Sequence, residues 1–346
     1  MNGRDVAKKA FQFAEDEEIP FFFEVNKKQG ELLDRHFGGY AWRDRANRYF
    51  NYLSGIDHYL AGNGFEELPG GRRKDSFGCV WEFGNIHHLV EAPLKEPTLE
   101  GFRLPDLEQY FRAHIYPRWP EELDRSAGKF RIIRHVFGPF ERAWSLRGFE
   151  ELLVDMHLNP AFAEGLIETV TDWMLESLDR ILTCPIDAVY LTDDYADQRG
   201  VIFGLDMFRR LFKPQWRRIL GKLRRAGVHS ILHVCGNAAP ALPDLIECGL
   251  DCLQSLQPEA MDVYALKREY GKDLRFWGGL GSQSVLPFGK PDEVKREIRK
   301  LKREMGRGGG YVLSGAKGLD VGDVPIENVI AYYEEAIEPV DRGSSG

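Results

Sequence analysis

The chain has 346 residues, 29% charged and 43% hydrophobic, a globular rather than a disordered composition. Lys and Arg number 46 against 54 Asp and Glu, a net charge of −8 that removes the general electrostatic route to nucleic acids and anionic membranes. No apolar run reaches the ~18 residues of a membrane helix, the charged start (Arg4, Asp5, Lys8, Lys9) does not read as a signal peptide, and five scattered cysteines read as a reduced cytoplasmic protein rather than a disulfide scaffold.

Up to about residue 70 the pattern is amphipathic helix, interrupted by one apolar run at residues 20–25 that fits a strand. Residues 75–94 read as extended and fold about Gly84-Asn85 as a hairpin, after which Pro93, Pro97 and Pro105 punctuate a loop. From residue 130 a rhythm sets in. Strands are predicted at 130–137, 186–191, 228–234, 251–255, 273–277 and 310–313. Between and after them, helices are predicted from about 149, from Asn159-Pro160, and at 206–225, 240–248, 262–270, 291–305 and 325–337.

At least six strand–helix units with no Pro/Gly/Ser linker between them predict a parallel sheet. The first strand–helix turn lacks a glycine-rich fingerprint, which counts against a dinucleotide-binding fold. The expected fold is therefore α/β, a (β/α)8 TIM barrel with an N-terminal helical and β-hairpin embellishment. It forms one domain over residues 1–340, and residues 341–346 read as a linker or tag scar.

In such a barrel the chemistry sits where strands end. Thr192-Asp193-Asp194-Tyr195 follows one strand, with Asp197 and Gln198 just beyond. Neighbouring side chains on a strand face opposite ways, so one carboxylate can enter the mouth while the other caps a helix or anchors the loop. A carboxylate in the mouth can act as a base, bind a substrate N–H or join a metal shell. The structural alternative is that both only cap and brace.

His233-Val234-Cys235-Gly236-Asn237 follows another strand, and residues two apart project to the same side. Imidazole and thiolate both suit zinc, although a buried cysteine is more often plain core. Trp277, ahead of Gly278-Gly279, and Lys317, the single cation after the last strand, complete the rim. Lys317 would grip a carboxylate or lie solvated. Asp193, Gln198, Asn237, Trp277 and Lys317 are the candidate substrate contacts; Asp194, Tyr195 and Cys235 are the candidate catalytic residues. Cys248 and Cys252 read as packing, and the adjacent His87 and His88 point apart.

Several stretches, in order, resemble the uroporphyrinogen decarboxylase-like superfamily. They are Asp75-Ser76-Phe77-Gly78-Cys79-Val80-Trp81, Gly138-Pro139-Phe140-Glu141, Thr192-Asp193-Asp194-Tyr195-Ala196-Asp197-Gln198, His233-Val234-Cys235-Gly236, Asp244-Leu245-Ile246, Gln257-Pro258-Glu259, Phe276-Trp277-Gly278-Gly279 and Pro325-Ile326-Glu327-Asn328. The resemblance implies a (β/α)8 barrel and two known chemistries. The decarboxylases act on a tetrapyrrole without a metal, through an N-terminal Arg-rich segment; residues 20–30 here hold Lys27 and Lys28 but no arginine. The methyltransferases move a methyl group between a corrinoid and a thiol, and bind zinc through His-x-Cys and a distant Cys. His233 and Cys235 match the first two ligands, and Lys317 stands where the third is expected. A neutral Lys at pH 7 costs about 4.6 kcal/mol, so a protonated Lys317 would instead supply positive charge near Cys235, with the metal either absent or completed by a carboxylate such as Asp194 or Glu259.

The resemblance thus implies a zinc-assisted methyltransferase in which Asp194 and Tyr195 orient a thiol acceptor. It also implies a corrinoid, its carrier protein as a partner, and a homodimer. Second stands a decarboxylase in which Asp193 or Asp194 steadies a pyrrolic cation. Third is a non-catalytic barrel that binds a corrinoid or tetrapyrrole.

Overall fold

The computed structural model describes residues 1–57, 64–84, 88–316 and 324–340. Capping fixes where the chain first becomes helical. Asn2 and Asn26 each accept from the amide three residues on, and Asp5 and Gln29 accept from the cap amides in return. These capping boxes start α1 (Gly3–Phe11) and α2 (Lys27–His36), followed by α3 (Ala41–Ala46).

Next comes β1 (Phe50–Ile56), a strand where the sequence pattern predicts helix. The reason is visible in its residues: Phe50, Leu53 and Ile56 are spaced three apart, a helical period, and all three are buried. Gly55 settles the matter in three dimensions, because a Cβ there would lie 2.1 Å from the Arg134 carbonyl oxygen of the neighbouring strand.

The hairpin expected near Gly84 is part of a four-stranded antiparallel sheet of β2 (Glu66–Leu68), β3 (Arg72–Lys74), β4 (Val80–Glu82) and β5 (His88–Glu91). The expected turn itself falls outside the described residues. Helices α4 (Leu107–His114) and α5 (Trp119–Arg125) lead to the repeating part of the chain.

That part runs β6 (Phe130–His135), α6 (Pro139–Arg147), α7 (Phe149–Leu158), α8 (Pro160–Ile181) and β7 (Ala188–Thr192). A short α9 (Leu205–Met207) then passes through a π turn at Phe208–Phe212 into α10 (Lys213–Arg225). The remainder is β8 (His229–His233), α11 (Leu242–Cys248), β9 (Cys252–Leu256), α12 (Val263–Tyr270), β10 (Arg275–Leu280), α13 (Val285–Phe288), α14 (Pro291–Met305), β11 (Tyr311–Gly315) and α15 (Ile326–Ala336).

Strands β1 and β6 to β11 form one seven-stranded sheet in chain order, every neighbouring pair parallel. Their interiors are buried on both faces, as helices packed outside a parallel sheet require. The strand expected at residues 20–25 shrinks to a single parallel bridge, Phe21 to Leu313, beside β11. Two backbone bonds hold it, Phe22 N to the Leu313 carbonyl at 2.9 Å and Leu313 N to that of Pro20 at 3.0 Å.

The sheet is curled. Tyr52, Arg134, Tyr190, His233, Gln254, Trp277 and Ser314, one from each strand, line the same cavity of about 110 Å³. Beneath it α1 covers the strands' starting ends: the Phe11 ring lies 4.8 Å from that of Phe130 and 5.1 Å from that of His229.

Candidate functional site

The site grows from the ends of β7 and β8. Beyond His233 the chain must turn at once, and Gly236 takes it through φ 82°, where a Cβ would sit 2.5 Å from the Asp197 carbonyl oxygen. The turn brings the Cys235 amide to Asp194 Oδ1, which it donates to at 2.7 Å. His233 Nε2 then lies 3.3 Å from Cys235 Sγ and 3.8 Å from Asp194 Oδ1. Asp194, His233 and Cys235 form a group whose ligand atoms all lie within 4.8 Å of one another.

These spacings fit a metal. A tetrahedral zinc with bonds of ~2.0–2.3 Å has ligand–ligand edges of roughly 3.3–3.8 Å. Nitrogen, sulfur and carboxylate oxygen are also its usual donors. The imidazole is aimed from behind: its Nδ1 donates to Gln254 Oε1, which also accepts from the Tyr190 hydroxyl at 2.9 Å. With the proton on Nδ1, Nε2 keeps its lone pair toward Cys235 and Asp194.

Asp193 turns the other way. It is fully buried and accepts from the amides of Phe140 and Glu141, the latter at 2.7 Å, so it caps the first turn of α6. Burial pushes its pKa up to about 8. Glu141, which accepts from the Thr192 hydroxyl at 2.7 Å, is raised well above the carboxylate range, first by burial and then by the charges of Asp194 and Asp193. A substrate contact by Asp193, expected from the sequence, does not fit a carboxylate sealed under α6.

Tyr195 is corrected in the same way. It is fully buried with its ring 5.0 Å from that of Phe208, and its hydroxyl has no hydrogen-bond partner among the described residues. Beside Asp193 in a tight turn, it packs against the π turn at Phe208–Phe212 instead of lining the cavity. Gln198 is exposed on the loop beyond. Asn237 braces the turn into α11, its Oδ1 accepting from the Ala239 amide at 3.2 Å. Glu259 holds the loop after β10 by accepting from the Gln283 amide at 2.9 Å and the Ser284 hydroxyl at 2.6 Å, and is not in the ligand group. Trp277 lines the cavity, its ring 4.5 Å from that of Phe50. Lys317 and His87 lie outside the described residues. Cys248 and Cys252 are buried packing residues.

Sequence reasoning misses Tyr52, Arg134, Tyr190 and Gln254, all on the cavity wall. The available signal was a polar side chain set into an otherwise apolar strand and sharing a face with its successor two residues on. Arg134, with Val136 and Phe137 after it, reads as no more than an interruption.

The uroporphyrinogen decarboxylase (URO-D) family profile matches residues 116–338, and the chain belongs to that family. Its relatives include both chemistries of the family. A methylated-thiol–coenzyme M methyltransferase of Methanosarcina mazei is 24% identical over 63% of this chain and 56% of its own length. The methylcobamide:CoM methyltransferase MtaA of Methanosarcina barkeri is 23% identical over 74% of each chain. A uroporphyrinogen decarboxylase of Methylococcus capsulatus is 24% identical over 56% of this chain and 53% of its own. The chain thus spans only about half the length of two of these three relatives in the matched region. A solved methyltransferase from Methanosarcina mazei superposes with a TM-score of 0.68 over 97% of this chain and 98% of that one, at 18% identity, and shares the fold. No helix among the described residues is long and apolar enough to cross a membrane.

Proposed function

We propose that the protein is a zinc-assisted methyltransferase that moves a methyl group between a corrinoid and a thiol, with Asp194, His233 and Cys235 as the metal's protein ligands. The observation that carries this reading is the convergence of Nε2, Sγ and Oδ1 at zinc-like spacing beside an open cavity. Bound zinc would supply the positive charge that lets a thiol lose its proton at neutral pH. The chain's own residues do the rest. Gln254 holds the imidazole tautomer, the Cys235 amide holds Asp194, and the cavity wall takes the body of the thiol. The thiol's S–H bond breaks with its proton leaving to solvent, a new S–CH3 bond forms, and the bond from the methyl to the corrinoid breaks.

The proposal extends to the closed (β/α)8 barrel, with the Phe21 segment as the eighth stave, and to residues 1–340 acting as one domain. It includes a corrinoid carrier protein, a homodimer and a cytoplasmic setting, each of which rests on family likeness. Metal analysis after zinc-replete expression tests it, together with methyl transfer from methylcobalamin to small thiols. The expected result is roughly one zinc per chain, with zinc and transfer both lost in Cys235→Ala. A metal-free protein that instead decarboxylates a tetrapyrrole would replace this reading with the decarboxylase one.

A further inference from the structure

Outside the sheet, α12 and α14 enclose a second cavity, of about 500 Å³, with Tyr264, Lys267 and Arg268 on one side and Lys300, Glu304 and Arg307 on the other. Helical spacing assembles it. Lys267 and Arg268 follow Tyr264 by three and four residues on α12, Glu304 follows Lys300 by four on α14, and Arg307 stands just past the end of α14.

In a chain of net charge −8, this cavity carries four basic side chains against two carboxylates, Asp262 and Glu304. Both carboxylates are engaged. Asp262 Oδ1 accepts from the Ala265 amide at 2.9 Å as the cap of α12, and Glu304 Oε1 lies 3.1 Å from Arg303 Nε. Arg268, Lys300 and Arg307 form no ion pair among the described residues, and Lys300 Nζ instead sits 4.1 Å from the centre of the Tyr264 ring. Three uncommitted cations around one cavity suit a ligand with a phosphate group.

The fourth basic group is of a different kind. Lys267 is half-buried, and its Nζ donates to the Gly309 carbonyl at 2.6 Å. Burial lowers its pKa to about 8, with the Glu15 charge pulling the other way. At pH 8 an ordinary lysine has roughly one amine in 250 neutral, whereas here about half are neutral. One N–H suffices for the Gly309 carbonyl, so the neutral amine keeps its lone pair for an electrophile. Gly309 precedes β11, which sets this amine toward the starting ends of the strands and away from the candidate ligand group.

We propose that the cavity between α12 and α14 is an acylation site, in which Arg268, Lys300 and Arg307 hold the phosphate of an acyl phosphate and Lys267 takes its acyl group. In that step Nζ attacks the acyl carbon and an N–C bond forms. The bond from that carbon to the phosphate oxygen breaks, and the amine's proton leaves with the phosphate. The product is an uncharged amide, so the cavity's positive charge falls and its hold on the departing phosphate weakens.

Site-resolved mass spectrometry of the full chain, incubated at pH 8 with acetyl phosphate, tests this. Lys267 is expected to acetylate at least about tenfold faster than the median of the other lysines. Acetic anhydride serves as the acyl donor without an anion. Lys300→Gln combined with Arg307→Gln should lower the ratio of the acetyl phosphate rate to the anhydride rate at Lys267 by at least about threefold. Taking the ratio cancels any change in the basicity of the amine itself. Inorganic phosphate should compete at Lys267 and not at the exposed lysines. A Lys267 rate at the median, or a ratio unchanged in the double variant, overturns the site. Fast reaction with both donors and no competition by inorganic phosphate overturns it as well, because that describes a reactive amine with nothing to hold the donor.

Discussion

Gln254 shows how much of the site one uncharged side chain decides. Its single oxygen receives both the His233 Nδ1–H and the Tyr190 hydroxyl, so it fixes which imidazole nitrogen is free to ligate. Such an outer partner typically contributes 10–100-fold to metal affinity. Gln254→Leu, close in volume and unable to accept, is expected to weaken zinc by about that factor in competition with a chromophoric chelator. An affinity within twofold of wild type would mean that the imidazole needs no such support. At this scale the sequence is half legible. His233 and Cys235 stand out because a period of two puts them on one face beyond a strand, and Asp194 because the pair with Asp193 must split. Gln254 gives no such sign, because its role comes from β9 lying beside β8, a neighbour relation that no local pattern contains.

The joints between elements follow the same logic. Asp193 leaves β7 to cap α6, and His135 leaves β6 to meet α8, its Nε2 2.7 Å from Ser177 Oγ. His135 is buried, and burial, with the nearby Arg142 charge, lowers its pKa to about 3. The unfolded chain binds a proton at this residue below about pH 6.5, whereas the folded protein refuses it until near pH 3. The unfolded state therefore holds more protons in that window. The stability contribution is complete above pH 6.5 and drains away as the pH falls, by up to about 1.4 kcal/mol per pH unit. His135→Gln can still bond to Ser177 and does not titrate. Urea unfolding at pH 7 and pH 5 should show a pH-dependent loss about 2 kcal/mol smaller in the variant than in wild type; equal losses would place the proton elsewhere. Element boundaries were readable where caps and prolines stand, as at Pro291–Met305, predicted to the residue. They were not readable at β1, whose spacing of three imitates a helix, nor at Phe208–Phe212, where one wider turn hides inside a continuous amphipathic pattern.

Across the whole molecule, the candidate site and its support occupy opposite ends of the curled sheet. The candidate ligand group sits at the ends of β7 and β8, while α1 closes the starting ends. Arg4 reaches Asp187 at 2.8 Å, and Arg275 Nε donates to the Phe11 carbonyl at 2.7 Å. Burial of the Phe11 ring against Phe130 and His229 is the apolar part of that closure. The six strand–helix units announced the sheet in the sequence, but not what fills its base, since α1 reads there as one more amphipathic helix. Phe11→Ala removes a buried ring from a packed interior, a change that costs about 3–5 kcal/mol. It leaves every residue of the cavity wall in place. Chemical denaturation should therefore show a loss of that size, while competition of the folded variant with a chromophoric chelator should give the wild-type zinc affinity. A loss below about 1 kcal/mol would mean that α1 merely rests on the strand ends. An affinity that fell with stability would mean that base and mouth are mechanically coupled through the strands.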